Sequence, residues 1–352
     1  MSSHSVKNQA GLRIPVIQGV DSLPEGLRRP VVVTIGNFDG VHQGHQRIIA
    51  LAIQQARGHQ GTAVAFTFRP HPQVALRPES APAMITTYDE KLELLAHAGV
   101  DLILEQPFSR EFSTSQPEQF FNEILLRRLN ATSIVVGYDF AFGKGREGHL
   151  EALAELCQRS AVKLTVVEPQ RSDGEIVSSS RVRQLLQAGE VQTAARLLGR
   201  PFFYRGVVIK GDARGRKLGF PTANLRLENK IALPNGVYAT VARVRDARGQ
   251  WLEEGVLIPS VTNIGVRPTF TISAAAQTSG SSSPDGVFPA LIETHLLGRA
   301  LDLYGLTLEV QFVERLREER KFDGVDALKT QIARDADQAA SVVKSWLVHR
   351  LT

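Results

Sequence analysis

Short apolar, β-branched runs alternate with longer, helically spaced segments through the first half of the chain. The runs lie at 31–36, 63–68, 100–105, 133–138 and 163–168. Between them, apolar residues recur every three or four positions over 44–57, 88–98, 117–129 and 149–159, which predicts helices. Strands separated by helices need crossover connections, so this half is expected to form a doubly wound parallel sheet covered on both faces, an α/β fold. Such sheets bind ligands in loops beyond the carboxyl ends of their strands, where helix N-termini point backbone N–H groups outward.

Two further helices are predicted at 180–188 and 191–198. After Gly199-Arg200-Pro201 the pattern changes to short strands broken by Gly, Pro and Asn, at 204–210, 236–244, 252–258 and 306–313. That spacing predicts a small antiparallel β-barrel or sandwich. An amphipathic segment at 325–347 predicts a C-terminal helix packed on it. The boundary is expected between Ala188 and Phe203: an N-terminal domain over 14–188, a linker over 189–202 and a C-terminal domain over 203–349. The run SAAAQTSGSSSP at 273–284 carries too little apolar surface to offset its ordering entropy, which predicts a mobile surface loop.

Composition narrows the class. Hydrophobic residues make up 43% of the 352 and charged residues 22%, enough apolar material for two cores, which excludes a disordered or fibrous chain. The net charge of +5 is small for this length and suits anionic small molecules as readily as nucleic acid. A single cysteine, Cys157, excludes an internal disulfide framework or a thiolate metal cage and points to the reducing cytoplasm. The first twenty residues lack the apolar core of a secretory signal, and no run approaches the roughly 18 apolar residues of a membrane helix. A cytosolic protein with no membrane partner is expected.

The first chemical constellation is GNFDGVHQGH at 36–45, between a predicted strand and a predicted helix. Gly36, Gly40 and Gly44 allow close backbone approach to a ligand. His42 and His45, three apart on a first helical turn, face the same way. Two imidazoles at a helix N-terminus suit phosphate oxygens, favoured further by the helix dipole. A metal pair is the alternative, but no third ligand lies nearby in sequence. SSSRVR at 178–183 supplies a hydroxyl cap and arginine forks. Alone it would read as a capped helix with exposed arginines. FRPHP at 68–72 and GYDFAFG at 137–143 also follow predicted strands, although Phe140 and Phe142 fit a core equally well.

The second constellation, KGDARGRKLGFPTANL at 210–225, joins a glycine- and base-rich loop to a turn. It is not a Walker A loop, since the order G-x-x-x-x-G-K-[ST] is missing. A basic RNA-binding hairpin is the alternative, against which aromatic residues are not interleaved as a stacking platform needs. IETHLL at 292–297, DLYG at 302–305 and LREERKF at 316–322 follow. NGVY at 235–238 and TNIGVRPT at 262–269 read first as structural turns and strands.

These motifs, in this order, resemble the prokaryotic bifunctional riboflavin kinase/FMN adenylyltransferase family over about residues 14–349. GNFDGVHQGH is similar to the HxGH signature of nucleotidylyltransferases, and 210–225 resembles the riboflavin kinase signature. The resemblance implies that His42 and His45 contact ATP phosphates and stabilise the transition state at the α-phosphorus. It places Gly36, Phe38, Asp39, Gly44, Asp139, Ser179, Ser180, Arg181 and Arg183 in the same ATP site. In the C-terminal half it implies Gly211, Lys217, Thr222, Asn224 and Tyr304 for a second ATP site, with Thr222 and Asn224 on Mg²⁺. Arg317, Arg320 and Phe322 are implied to meet flavin, and Glu293 to be the general base. The implied reactions are phosphorylation of riboflavin to FMN and adenylylation of FMN to FAD. Both use ATP and Mg²⁺, with no nucleic acid involved. The Ser-rich stretch and Gly298-Arg299 depart from the family pattern. The competing reading is an adenylyltransferase for another small phosphate ester, with a C-terminal module that only binds flavin or RNA.

Overall fold

The computed structural model describes residues 3–8, 11–24, 26–27, 29–210, 215, 218–227, 230–265, 291–299 and 301–351. Gly211, Lys217, residues 266–269 and the Ser-rich run at 273–284 lie outside the described residues. Contacts divide the chain into two compact units, 1–182 with 197–199 and 183–196 with 200–352.

The first unit contains β1 (Ser3–Lys7), β2 (Arg13–Gln18), β3 (Val31–Ile35), β4 (Thr62–Arg69), β5 (Leu102–Pro107), β6 (Ala131–Gly137) and β7 (Lys163–Val167). They form one sheet in the order β1-β2-β5-β4-β3-β6-β7, parallel except for the antiparallel edge strand β1. The helices are α1 (Gln43–Arg57), α2 (Pro72–Leu76), α3 (Tyr88–His97), α4 (Pro117–Gln119) and α5 (Leu150–Arg159). Every residue of β3 is buried, because helices cover both sheet faces. Ile49, Ile53, Leu92 and Leu95 of α1 and α3 pack on Val32, Ala65 and Ile103. Phe121, Leu125, Leu153 and Leu156 pack on Val33, Val64 and Leu104 of the opposite face. From β3 the order runs one way through β4 and β5 and the other through β6 and β7. The switch point therefore falls between β3 and β6, where doubly wound sheets hold their ligands.

Two local differences from expectation have clear causes. The predicted helix at 117–129 is α only over Pro117–Gln119. It continues as a π-helix over Phe120–Arg128, with the Leu129 N–H donating to the Ile124 carbonyl, and the adjacent pairs Phe120/Phe121 and Ile124/Leu125 are all buried. The strands β1 and β2 carry no strand signal because β1 is a polar edge and β2 contains Pro15.

After a short hairpin, β8 (Arg171–Ser172) and β9 (Glu175–Ile176), come α6 (Ser179–Ala188) and α7 (Val191–Leu198). The second unit then closes a six-stranded antiparallel barrel from β10 (Phe203–Ile209), β11 (Ala223–Leu227), β12 (Gly236–Arg245), β13 (Ile258–Gly265), β14 (Leu291–Leu296) and β15 (Thr307–Arg317). The ring order is β10-β11-β14-β13-β12-β15. Tyr204 and Tyr238 meet Phe312 edge-on at 5.2 and 5.3 Å among the largest fully buried side chains. A chain of buried hydroxyls, Ser260–Thr240–Thr262–Thr294, crosses β13, β12 and β14 at 2.8–3.0 Å. Outside the barrel, α8 (Val325–Leu351) sets Ala339 and Val343 against Val237, Val241, Val261 and Val313.

The strand expected at 252–258 is not formed. Gly255 takes φ +76, outside extended backbone, and the strand starts only at Ile258. Conversely, β11 begins at Ala223, within the 210–225 segment read as a loop and turn, and runs on to Leu227. Among the described residues, no helix is long and apolar enough to cross a membrane.

Candidate functional site

The first site is built at the carboxyl end of β3. From Gly36 to His42 the chain turns through three positive-φ residues, Phe38 (φ 51), Gly40 (φ 79) and Val41 (φ 40). Phe38 and Val41 are buried in the core, which holds this strained turn rigid. His42 is the N-cap of α1: its Nδ1 accepts from the His45 backbone N–H at 3.3 Å. A ring nitrogen that accepts carries no hydrogen, so the neutral ring of His42 presents Nε2–H. The two imidazoles stack, 3.6 Å between centroids and 18° apart, and Phe38 meets His45 edge-on at 5.3 Å. Burial, and then His42, holds His45 well below the usual histidine range. His45 Nδ1 is an enclosed polar atom with no hydrogen-bond partner. Gly44 lets the backbone pass close to the His42 ring, where a Cβ would lie at 3.1 Å.

Asp39 is 1% exposed, and its carboxylate accepts from the Ile85 and Thr86 N–H groups and the Thr86 hydroxyl at 3.1–3.2 Å. That side chain is engaged in tying residues 85–86 to the histidine turn. The Asp39 carbonyl accepts from the Ser179 hydroxyl at 2.9 Å, joining the start of α6 to the same turn. Ser178 caps α6 by accepting from the Arg181 N–H at 3.2 Å. Arg181 pairs with Glu175 at 2.6 Å, and Ser180 is exposed. Arg183, four residues after Ser179 on α6, is counted with the second unit. Asp139 stands at the carboxyl end of β6, its Oδ1 folded over Gly137, with an Arg146 guanidinium donating to its carbonyl at 3.4 Å. Phe142 is core, packed on Phe120 and Phe140.

The carboxyl end of β4 contains a charged cluster that the sequence reading missed. Lys91, 2% exposed on α3, donates to Thr67 Oγ1 at 3.0 Å and to the Phe68 carbonyl at 2.9 Å. Thr67 Oγ1 donates to the Asn37 carbonyl at 3.3 Å, within the histidine turn. Burial lowers Lys91 to about 8 despite the nearby Glu105 and Asp39. Glu105 is buried on β5 without a hydrogen-bond partner, 3.8 Å from Arg69, and burial raises its pKa against the pull of Lys91 and Arg69. His71 caps α2 and its N–H donates to the Tyr88 hydroxyl. A signal was present: Lys91 occupies a position on the buried stripe of Leu92, Leu95 and Ala96, where a solvated lysine does not belong.

The second site lies on the outer face of the barrel. The interior of β14 is formed by Ile292, Thr294 and Leu296, so Glu293 and His295 face the other way. Register sets Asn224 of β11 directly opposite Glu293, with Asn263 of β13 on its other flank. Asn263 had been read as structural. Directly opposed strand residues have Cβ atoms about 4.5–5.5 Å apart, so an amide flanks the carboxylate on each side. The turn before β11 is tight: a Cβ on Gly215 would meet the Phe220 carbonyl at 2.3 Å and Thr222 Oγ1 at 3.1 Å. Tyr304 is exposed beside the end of β10, with Lys210 Nζ 6.0 Å from its ring centroid. Arg317 and Arg320 both approach the Phe322 ring, at 5.8 and 5.0 Å. Arg317 is also held bidentate by the buried Asp335 of α8, at 3.0 and 2.6 Å.

Comparison with known proteins adds independent findings. Residues 25–181 match the family model described as FAD synthetase, and residues 198–343 the one described as riboflavin kinase. The chain is similar to the bifunctional riboflavin kinase/FMN adenylyltransferase of Escherichia coli K12, 36% identical over 91% of this chain and 95% of that one. The Bacillus subtilis protein of the same description is 35% identical over 88% and 91%. Among solved structures, a Streptococcus pneumoniae protein titled a macrolide-efflux protein superposes with a TM-score of 0.77. It is 30% identical and covers 92% of this chain and 98% of its own.

Proposed function

The chain belongs to the bifunctional riboflavin kinase/FMN adenylyltransferase family, and from that premise we infer how its two sites divide the work. It phosphorylates riboflavin with ATP to FMN and adenylylates FMN with a second ATP to FAD and pyrophosphate. We assign adenylyl transfer to 14–188, a linker to 189–202 and the kinase to 203–349. The cytoplasm is the proposed compartment. The observation that carries the assignment is the stacked His42–His45 pair at the N-terminus of α1, on a different unit from the Asn224–Glu293–Asn263 row.

In adenylyl transfer an FMN phosphate oxygen bonds the α-phosphorus while the bond to the α–β bridging oxygen breaks and pyrophosphate leaves. The attacking oxygen is already anionic, so the site needs donors rather than a base. His42 Nε2–H, His45 and the first N–H groups of α1 provide them, with Ser179, Ser180 and Arg181 on the departing pyrophosphate. Gly36, Phe38 and Gly44 shape the turn, Asp39 holds it in place, and Asp139 borders the switch point.

In the kinase reaction the riboflavin 5′-hydroxyl oxygen bonds the γ-phosphorus as its bond to the β–γ bridging oxygen breaks and ADP leaves. Glu293 accepts the hydroxyl proton. Thr222 and Asn224 offer neutral, hard oxygens beside that carboxylate, and among the described residues no group of three His, Cys, Asp or Glu competes for a metal. That donor set fits Mg²⁺ completed by phosphate oxygens. Thr222 and Asn224 would hold the ion, which would neutralise phosphate charge. Gly211, Lys217 and Tyr304 are assigned to the nucleotide, and Arg317, Arg320 and Phe322 to the flavin.

The test is to incubate pure protein with riboflavin, ATP and Mg²⁺ and to separate the flavins by chromatography. FMN should appear first and FAD later. FMN alone would remove the FMN acceptor from the first site, and unchanged riboflavin would reduce the barrel to a binding module.

A further inference from the structure

We propose that His295 is a positioning residue for the kinase reaction, fixing the turn that presents Thr222; this rests on the reading of Thr222 and Glu293 given above. The ladder between β11 and β14 begins at Ala223, opposite Thr294, so Pro221 and Thr222 lie beyond its last pair. Pro221 has no N–H with which to extend the ladder. Its carbonyl is bonded instead to His295 Nδ1 at 2.7 Å. The same imidazole meets the Phe220 ring edge-on, at 5.6 Å and 83°. Two consecutive residues of the turn are thereby held by one ring, and Thr222 is the next residue along.

His295 is two residues from Glu293 on the same strand, and alternation along β14 puts both on one face. One rigid element therefore carries the base and also the side chain that sets where Thr222 stands relative to it. The Gly215 approach closes the turn from the other side, its carbonyl accepting from the Phe220 N–H at 2.8 Å. A carbonyl only accepts, so Nδ1 must carry the hydrogen. That hydrogen is present in the neutral Nδ1–H tautomer and in the protonated ring alike. Either form can donate to the carbonyl, which separates the clamp from an acid–base role. Misplacement of a substrate-positioning group by about 1 Å costs roughly 10²-fold in rate.

The experiment uses the full chain and compares His295→Asn, His295→Gln and His295→Leu, with Glu293→Gln as reference. An asparagine amide places its N–H where Nδ1–H stands, whereas the longer glutamine places its own nearer the Nε2 position. Measured are KM for ATP and kcat for FMN formation across pH, with FAD formation from supplied FMN as an internal control. The expected result is a loss of roughly 10- to 100-fold in kinase kcat/KM for Leu and Gln, with adenylyl transfer intact. Asn should recover activity to within a few-fold, and the kinase pH profile should keep its shape in wild type and Asn. Should Leu abolish riboflavin binding by unfolding the barrel, the Asn against Gln contrast decides alone. Wild-type kinetics in Leu, an Asn variant no better than Gln, or a pH limb that vanishes with His295 would each overturn the proposal. An active Glu293→Gln beside an impaired His295→Leu would instead remove Glu293 as base and leave the clamp standing.

Discussion

The imidazoles of His42 and His45 stack at 3.6 Å while the His42 ring also caps the helix that carries His45. The arrangement holds two phosphate donors in one rigid unit and disfavours a second positive charge within it. Burial and then the His42 ring hold His45 well below the usual histidine range.

A stability consequence follows, with a definite sign. The unfolded chain takes up a proton on His45 near pH 6.5, while the folded chain does so only at lower pH. The stabilising contribution is present above pH 6.5 and is lost as pH falls below it. The ligand-free protein should therefore unfold at lower temperature on acidification below pH 6.5, and His45→Gln should flatten that limb. Equal slopes in both proteins would contradict the account.

Separation of the two sites predicts separable activities. Glu293→Ala should lower FMN formation by about 10²–10⁴-fold, while FAD synthesis from supplied FMN survives. His42→Ala with His45→Ala should leave a kinase that stalls at FMN. Loss of both activities in either variant would defeat the two-site assignment, and flavin chromatography reads both outcomes.

Asp39 should behave as a structural carboxylate. Asp39→Asn turns an amide N–H toward donors at Ile85 and Thr86 and should cost the first unit about 2–3 kcal/mol. Differential scanning calorimetry should show that loss, with FMN formation by the barrel unchanged. An undestabilised variant that still loses FAD synthesis would mean that the carboxylate acts directly on substrate.

The Lys91–Glu105 cluster predicts non-additivity. Lys91→Met takes the strongest opposing charge from the buried Glu105, leaving Arg69 and His4, and should destabilise the first unit by roughly 3–5 kcal/mol. Lys91→Met combined with Glu105→Leu removes both buried charges and should recover most of that loss. Additive effects in denaturant unfolding would show the two groups to be independent.

The alternating fold of the first unit and the histidine turn were legible because periodicity and glycine placement are local signals. The register was not. That Asn263 and Asn224 flank Glu293 depends on pairing across sequence separations that no single-strand pattern encodes, so Asn263 passed as structural. Lys91 was overlooked for a different reason: its place on the buried stripe of α3 was readable, but its partners, the carbonyl of Phe68 and the hydroxyl of Thr67, lie on another element. The π winding after Pro117 has no propensity signature at all. The false strand at 252–258 came from its apolar ends, with Gly255 at φ +76 deciding against it.

Strands β13 and β14 are paired from Gly265 and Leu291 onward, and the chain joins them through residues 266–290. Because successive side chains alternate between faces, a one-residue slip of this ladder would turn Glu293 toward the barrel interior and part it from Asn263, so the register itself maintains the carboxylate between its two amides.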